Sequence, residues 1–157
     1  MVRRDWVAVA GALVVGVLVA TGPLTGLDVT SAGASTFGDG DATVDGVELA
    51  ASDLTVTDGR FGAAGPYLRI PTATVAVSSV TERPRLVYVV TVPGLGITRT
   101  ETLVFTRPGR YRLAPDDRAL PPDTSSASYD ATLLIRVQSF ETDRILLRTN
   151  TTVEVDG

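Results

Sequence analysis

Apolar and polar residues are arranged in two different ways along the chain. Trp6–Ala20 is one continuous apolar run without a charged side chain. From residue 42 onward, short segments in which apolar and polar positions alternate are separated by turns rich in glycine, proline and aspartate. Alternation with a period of two is typical of β-strands with one buried face. The pattern therefore predicts one N-terminal apolar helix followed by an all-β domain.

Two features of the first half of this domain indicate turns between strands. Leu54–Thr57 alternates apolar and hydroxyl residues, and Asp58-Gly59 follows it, a dipeptide that favours a two-residue hairpin turn. We therefore expect the chain to return at once into Arg60-Phe61. Further on, Pro71 interrupts an apolar segment, and a proline at such a position indicates an edge strand or a change of sheet.

The second half contains the strongest strand signals. Arg85–Val92 is apolar on both faces and rich in β-branched residues, which predicts a central strand. Tyr129–Phe140 and Arg144–Val155 both alternate and are joined by a short polar turn, which predicts a final antiparallel pair. In the first of these two segments the predicted buried face consists of Ala131, Leu133, Ile135 and Val137.

These segments amount to seven to nine short strands at spacings typical of an antiparallel sandwich or barrel, of which we favour the sandwich. From Arg85 onward the chain resembles an immunoglobulin-like or fibronectin type III-like domain, because a β-rich strand precedes the turn Pro108–Tyr111, a loop, and Tyr129 in the position of a tyrosine corner. The resemblance implies an exported immunoglobulin-like β-sandwich in which Tyr129 has a structural role. The chain departs from the family in lacking a cysteine pair, and its sole tryptophan, Trp6, lies outside the matching part.

The N-terminal apolar run is close in length to a membrane-spanning helix. A helix over Trp6–Leu24 would extend about 28 Å, close to the thickness of the hydrocarbon core of a bilayer. Arg3 and Arg4 precede it and would hold the N-terminal end in the cytoplasm. We therefore favour an anchor in the cytoplasmic membrane, with the rest of the chain outside.

Other uses of the same run stay open. An Ala-Gly-Ala sequence that ends at Ala34 would allow cleavage of a signal segment and secretion of the remainder. The run would also fit a buried helix of a cytoplasmic domain. Arg3 and Arg4 with the hydrophobic residues after Asp5 match part of a twin-arginine export signal, and this route would give the same topology as general export.

The pattern divides the chain into three parts. Residues 1–24 are the predicted membrane anchor or signal segment, 25–41 a flexible acidic spacer rich in Ser, Thr and Gly, and 42–157 the β-sandwich ectodomain. The last part has an ordinary size for a single domain with its own hydrophobic core.

The composition restricts the chemistry of this domain. Cysteine and histidine are absent, and all 14 basic residues are arginines. A Ser-His-Asp triad, a histidine-bound zinc ion and a Schiff-base lysine each require a residue type that the chain lacks. We therefore expect no enzymatic activity and no cofactor. The formal net charge of −4 also disfavours nucleic acid as a partner, and an acidic chain without lysine is typical of adaptation to high salt or of a GC-rich genome.

One group of carboxylates is a weak candidate for a metal site. Asp39, Asp41 and Asp45 lie among glycines, as the ligands of a Ca²⁺ loop do. Their spacing departs from the EF-hand pattern, because Thr43 stands where the third oxygen ligand is usually acidic and the next glycine comes too late. We therefore favour a solvated acidic spacer over a calcium site.

A second group of carboxylates lies in the longest segment without a strand pattern. Asp116, Asp117 and Asp123 belong to a polar stretch over 116–128 that also contains Pro121, Pro122 and several serines. A connection of this length between strands is either a binding loop or an extended surface loop. The sequence leaves both interpretations open.

Asn150 is the sole asparagine and begins the sequon Asn150-Thr151-Thr152, which an exported domain could use for N-glycosylation. Its place within a predicted strand disfavours modification unless the side chain faces solvent. Chance also explains a sequon in a chain so rich in threonine.

The expected function is that of a membrane-tethered, extracytoplasmic, non-enzymatic interaction or structural module of the cell envelope. Trp6–Leu24 would contact the membrane, and a strand edge or the loop over 116–128 would contact an envelope or surface-appendage protein. The alternative is an extracellular β-sandwich that binds a glycan or calcium. An exposed row of aromatic side chains or a cage of carboxylates would favour this alternative.

Overall fold

The computed structural model describes residues 38–57, 65–124 and 128–155, which all lie in one compact unit, Thr36–Gly157. Ten β-strands and two short 3₁₀-helices account for most of this part of the chain. The strands are β1 (Ala42–Leu49), β2 (Thr55–Thr57), β3 (Tyr67–Arg69), β4 (Ala73–Val80), β5 (Arg85–Val92), β6 (Ile97–Val104), β7 (Gly109–Leu113), β8 (Arg118–Ala119), β9 (Ser128–Gln138) and β10 (Asp143–Glu154). The 3₁₀-helices are Ala51–Asp53 and Pro93–Leu95.

The strands of the described residues form three sheets. The orders are β1-β4-β7, β10-β9-β5-β6 and β2-β3-β8. Neighbouring strands within each sheet are antiparallel, and a parallel bridge joins Val56 of β2 to Val155 after β10. The predicted all-β, antiparallel class is confirmed.

One hydrophobic core receives side chains from all three sheets. Successive strand residues point to opposite faces, so that every second residue of a strand can be buried. In β9 the buried residues are Ala131, Leu133, Ile135 and Val137, which confirms the face predicted from the sequence. Full burial of one aliphatic side chain of this size contributes about 1.5–3 kcal/mol relative to exposure.

β5 lies between β9 and β6, which confirms the prediction of a central strand. Its core face contains Leu86, Tyr88, Val90 and Val92, each with no exposed surface. Val87 is buried too, on the opposite face of the sheet. The strand therefore looks apolar throughout in the sequence because residues of both faces are covered.

The chain changes sheet at Pro71, as predicted. β3 ends at Arg69 in the sheet with β2 and β8, and β4 begins at Ala73 between β1 and β7. The carbonyl of Pro71 accepts a hydrogen bond from the hydroxyl of Tyr88 at 3.1 Å. The corner between the two sheets is thereby attached to the centre of the core.

β2 pairs with a strand that the sequence pattern does not assign to it. Among the described residues, β3 lies antiparallel to β2 and places Leu68 opposite Val56. Both of these side chains have no exposed surface. The burial of these two apolar side chains stabilises the pairing of β2 with β3. The predicted turn at Asp58-Gly59 and the return into Arg60-Phe61 lie outside the described residues.

The described part of the polar segment, residues 116–124, is attached to the domain. Arg118–Ala119 forms β8 against β3, and Leu120 is buried with 6% exposure. The N–H of Leu120 donates to the carbonyl of Pro66 at 2.8 Å. Strand pairing and the burial of Leu120 therefore hold the first part of this segment against the domain, although its composition is mostly polar.

β1 is a strand that the sequence pattern does not single out, because Asp45 and Gly46 interrupt the alternation. The pairing of β1 with β4 shows two register shifts at this place. Directly before β1, the N–H of Gly38 donates to the carbonyl of Arg83 at 2.8 Å. The last residues of the predicted spacer, from residue 38 on, are thus hydrogen-bonded to the domain.

Two tyrosines form hydrogen bonds to backbone groups upstream in the chain. Among the described residues, the hydroxyls of Tyr111 and Tyr88 donate to the carbonyls of Arg107 and Pro71. The ring of Tyr129 instead packs beside Gly94, where an added Cβ would lie 2.9 Å from it. Tyr111 follows Pro108-Gly109 closely enough to reach back, since only four residues separate donor and acceptor.

Within the described ranges, no helix is both long and apolar enough to cross a membrane. Trp6–Leu24, the candidate cleavage position at Ala34 and the spacer up to residue 37 lie outside these ranges.

Candidate functional site

An open cleft of about 730 Å³ lies where the β2-β3-β8 sheet meets the corner at Pro71. Four separate parts of the chain form its walls. They are Ser52, Asp53 and Thr55 before and in β2, Arg69 of β3, Ile70–Thr72 of the corner, and Ala114–Asp117 between β7 and β8. Two of the three predicted loop carboxylates, Asp116 and Asp117, therefore belong to one concave surface.

Hydrogen bonds and packing hold the walls of the cleft in place. The Oδ1 atom of Asp117 accepts a hydrogen bond from the backbone N–H of Ile70 at 2.9 Å, which joins the β7–β8 connection to the corner. The hydroxyl of Tyr88 supports Pro71 from the core side. On the outer side, Nη2 of Arg112 donates to Oγ1 of Thr72 at 3.3 Å. The cleft is therefore built on hydrogen-bonded strands and corners.

The lining of the cleft is acidic. Asp53, Asp116 and Asp117 contribute three carboxylates, and Arg69 contributes one guanidinium group. The hydroxyls of Ser52, Thr55 and Thr72 complete the polar lining. A surface of this kind attracts cationic groups and groups that can donate several hydrogen bonds.

Burial raises the pKa of the Tyr88 hydroxyl well above that of an exposed tyrosine. The physical cause is desolvation, since the charged phenolate is disfavoured in the apolar core. Tyr88 therefore stays a neutral donor to Pro71 throughout the physiological pH range. It supports the floor of the cleft and does not take part in proton transfer there.

Asp123, the third predicted loop carboxylate, does not line the cleft. It is exposed in a turn in which both the N–H and the hydroxyl of Thr124 donate to the carbonyl of Pro121. The structure therefore separates Asp123 from Asp116 and Asp117.

The carboxylates of two of the three weak metal candidates, Asp41 and Asp45, accept hydrogen bonds from the domain. The Oδ1 atom of Asp41 accepts from the N–H of Ala42 at 2.7 Å and from Nη2 of Arg144 at 3.4 Å. The Oδ1 atom of Asp45 accepts from the hydroxyl of Ser78 at 2.7 Å. In the part of the chain that the structure describes, no group of three or more acidic side chains could hold a metal ion.

Asn150 lies on β10 with its side chain exposed on the outer face of the four-stranded sheet. Its Oδ1 atom accepts a hydrogen bond from the hydroxyl of Thr132 at 3.0 Å. Thr152, the sequon hydroxyl residue, is exposed two residues later on the same face. The solvent exposure that glycosylation requires is thus present, although the residue lies within a paired strand.

Sequence reasoning missed Asp53 and Arg69 as members of the cleft. They are 16 positions apart in the sequence and come together because β2 pairs with β3. Asp53 follows a short apolar segment, and Arg69 alternates with buried residues, as many surface residues do. Only the correct pairing of β2 could have shown that they face one cleft.

Comparison with known proteins gave no match: no family model, no curated protein and no solved structure is similar to this chain.

Proposed function

We propose that this protein is a membrane-tethered, extracytoplasmic interaction module of the cell envelope, without enzymatic activity. Its β-domain binds a partner protein through the acidic cleft. Trp6–Leu24 anchors the chain in the membrane, and the spacer gives the domain reach.

The observation that carries this proposal is the composition and build of the cleft. Asp53, Asp116 and Asp117 face a concave surface that is open to solvent, and a hydrogen bond from Ile70 to Asp117 fixes one wall. Open, polar and rigidly supported surfaces are typical of sites for a protein partner, since little ordering is needed on binding. Among the described lining residues, three carboxylates stand against one guanidinium group, that of Arg69, and this excess favours a partner segment with arginine or lysine side chains.

The lack of three residue types that are common in catalysis supports a non-enzymatic role. The chain has no histidine, cysteine or lysine. The cleft lining offers carboxylates, hydroxyls and one guanidinium group. Among the described residues that line it there is no aromatic side chain, whereas the sugar-binding clefts of carboxylate-based glycosidases are rich in them. Binding is therefore the chemistry that these residues favour.

The strand order supports an immunoglobulin-like sandwich as the fold of this module. Seven strands remain when the small β2-β3-β8 sheet is left aside. In chain order, the first, second and fifth of them (β1, β4 and β7) form one sheet, and the third, fourth, sixth and seventh (β5, β6, β9 and β10) form the other. The fourth strand, β6, lies beside the third, β5, in the position that strand C′ has in variable-type domains. Tyr88 on β5 occupies the place of the buried aromatic residue on strand C. The small β2-β3-β8 sheet is an addition to this plan.

A labelling experiment tests the location. Because the chain has no cysteine, Thr152→Cys introduces a single thiol at an exposed position of β10. In intact cells we expect this thiol to react with a maleimide that cannot cross membranes, because the domain lies outside. The matched variant Val2→Cys should react only after lysis, since its thiol lies on the cytoplasmic side of the predicted anchor. Protection of both thiols in intact cells would contradict the proposed topology.

Photo-crosslinking tests the cleft as the binding surface. A benzoylphenylalanine in place of Ala114, an exposed lining residue, should give one discrete crosslinked product in intact cells, whereas the same group at Ser79 on β4 should give none. Asp116→Arg should lower the yield about tenfold, equivalent to about 1.4 kcal/mol of binding free energy, because it replaces attraction by repulsion.

The matched control for the charge reversal is Asp123→Arg. It makes the same change in an exposed turn outside the cleft and should leave the yield unchanged. Equal effects of the two reversals, or equal crosslinking from Ala114 and Ser79, would show that the cleft is not the binding surface. Unchanged melting temperatures confirm that the variants are folded.

A further inference from the structure

The free edges of the β1-β4-β7 and β10-β9-β5-β6 sheets differ in how they are protected against pairing with another chain. β1 has two register shifts, β10 has one and is joined to β2 by a parallel bridge, and β7 is only five residues long. Bulges and short strands are the usual means by which proteins prevent edge-to-edge association. β6 has neither feature, because its eight residues pair with β5 without a single shift. In the described part of the chain, no strand pairs with its other edge.

Three of the β6 residues whose backbone groups face away from β5 are threonines. Phe105, directly after β6, donates its N–H to the carbonyl of Pro84 opposite it at 3.2 Å. Because hydrogen-bonded and non-hydrogen-bonded residue pairs alternate along an antiparallel ladder, the N–H and C=O groups of Thr98, Thr100 and Thr102 point away from β5. These three residues are exposed. They offer a row of backbone donors and acceptors to an added strand.

The side chains of β6 are self-complementary around Thr100. An antiparallel copy of the strand, centred there, would place Arg99 opposite Glu101, and the sequence Ile97-Thr-Arg-Thr-Glu-Thr-Leu103 gives hydroxyl opposite hydroxyl and aliphatic opposite aliphatic at the remaining positions. The pair at Thr100 would be hydrogen-bonded, because its backbone groups point outward. Arg99 and Glu101 would then form non-hydrogen-bonded pairs, in which the side chains approach most closely.

Arg99 and Glu101 also restrict which partner can pair with this edge. They lie on the core-facing side of β6, with Ile97 and Leu103, which pack against the core. Both are half-buried, and neither forms an ion pair with another described residue. An inward-pointing charge normally blocks an edge, because an unrelated strand would bury it without a partner. A second copy of β6 would place its Glu101 opposite Arg99 and its Arg99 opposite Glu101, so that each charge gains an opposite partner.

We propose that β6 pairs with β6 of a second copy of this chain across a two-fold axis through Thr100, so that the two four-stranded sheets become one continuous sheet. The interface is self-complementary, as a two-fold dimer requires, and the mode of association is strand addition. This inference depends only on the sheet edge and is independent of the location and partner proposed above.

Disulfide crosslinking of the full chain tests this dimer. Thr100→Cys places the sole thiol of the chain on the proposed axis, where opposed Cα atoms about 5.5 Å apart are within disulfide range. Mild oxidation should give a covalent dimer of twice 16.4 kDa. The matched variant Thr152→Cys, on the opposite edge of the same sheet, should stay monomeric. Equal dimer yields from the two thiols would overturn the proposal.

Charge reversal separates the proposed register from any other contact. In the Thr100→Cys background, Arg99→Glu or Glu101→Arg should lower the dimer yield about tenfold, because two attractive pairs become repulsive. Co-expression of the two variants, distinguished by tags of different length, should restore a mixed dimer, since the acidic edge of one faces the basic edge of the other. A variant that had merely unfolded could not be restored in this way. Wild-type yields from either single reversal, or failure of the mixture to restore the dimer, would exclude the register.

Discussion

Replacement of Tyr88 by alanine is expected to lower the free energy of unfolding by about 3–5 kcal/mol. The side chain has no exposed surface and lies in the common core of the sheets, so that its removal leaves a cavity that the surrounding strands cannot fill. Its hydroxyl also holds Pro71, whose carbonyl would lose its donor. Urea unfolding followed by circular dichroism measures the change.

The variant Tyr88→Phe separates the ring from the hydroxyl. It keeps the packing and leaves the carbonyl of Pro71 without its hydrogen bond, so that a loss of about 1–2 kcal/mol is expected. Because Pro71 lines the cleft, this variant should also weaken photo-crosslinking from Ala114. Equal free energies of unfolding for Tyr88→Ala and Tyr88→Phe would contradict the role of this ring in packing the core.

The pH dependence of stability follows from the same residue. Burial raises the pKa of Tyr88 in the folded state above the value of about 10 for an unfolded chain, so the folded state holds this proton more tightly. Its contribution is fully present below pH 10 and is lost as the pH rises further, by up to about 1.4 kcal/mol per pH unit. Tyr88→Phe should lack this part of the decline. Parallel declines of the wild type and the variant above pH 10 would contradict the assignment.

Replacement of Gly40 by alanine is expected to lower the free energy of unfolding by about 2–4 kcal/mol. Gly40 has a φ of +103°, which side-chain-bearing residues rarely adopt, and an added Cβ would lie only 2.0 Å from the carbonyl oxygen of Thr81. The backbone on both sides is fixed, because Arg83 donates to the carbonyl of Asp39 and Thr81 to that of Asp41. The clash can therefore be relieved only by breaking this contact.

The matched control is Gly46→Ala in β1. No atom lies within 4 Å of an added Cβ at this position, so that the change should stay within about 1 kcal/mol. Thermal unfolding of both variants measures the difference. Gly40 lies where the chain passes from the predicted spacer into β1, so its replacement should also weaken the hydrogen bonds of residues 39 and 41 to the domain. Equal stability of the two variants would show that the 38–41 segment is not held as described.

The sequence predicted those parts of the fold that depend on one strand or on two strands adjacent in the chain. β5 is central and β9 buries its predicted face, because continuous or alternating apolar character directly reports how many faces of a strand are covered. The change of sheet at Pro71 was likewise predictable, since proline cannot donate to a ladder. Asp116 and Asp117 were identified as binding candidates from the length and polarity of their segment.

The remaining features depend on contacts between distant parts of the chain. The pairing of β2 with β3 depends on burial of Leu68 against Val56, which are 12 positions apart. The same burial brings Asp53 and Arg69 to the cleft. Leu120 anchors the described part of a segment that is otherwise mostly polar. None of these pairings has a local signal, because each depends on which apolar side chains can share the core.

The sequence by itself determined the all-β class, the chemistry that the chain lacks, and the symmetry of β6 around Thr100, because these follow from residue types and their order. Only the tertiary structure decided that β6 has a free edge and that three aspartates from two segments line one cleft. The physical reason is that edges and clefts are defined by which strands are neighbours. That choice is made by burial of the whole core and not by any one segment.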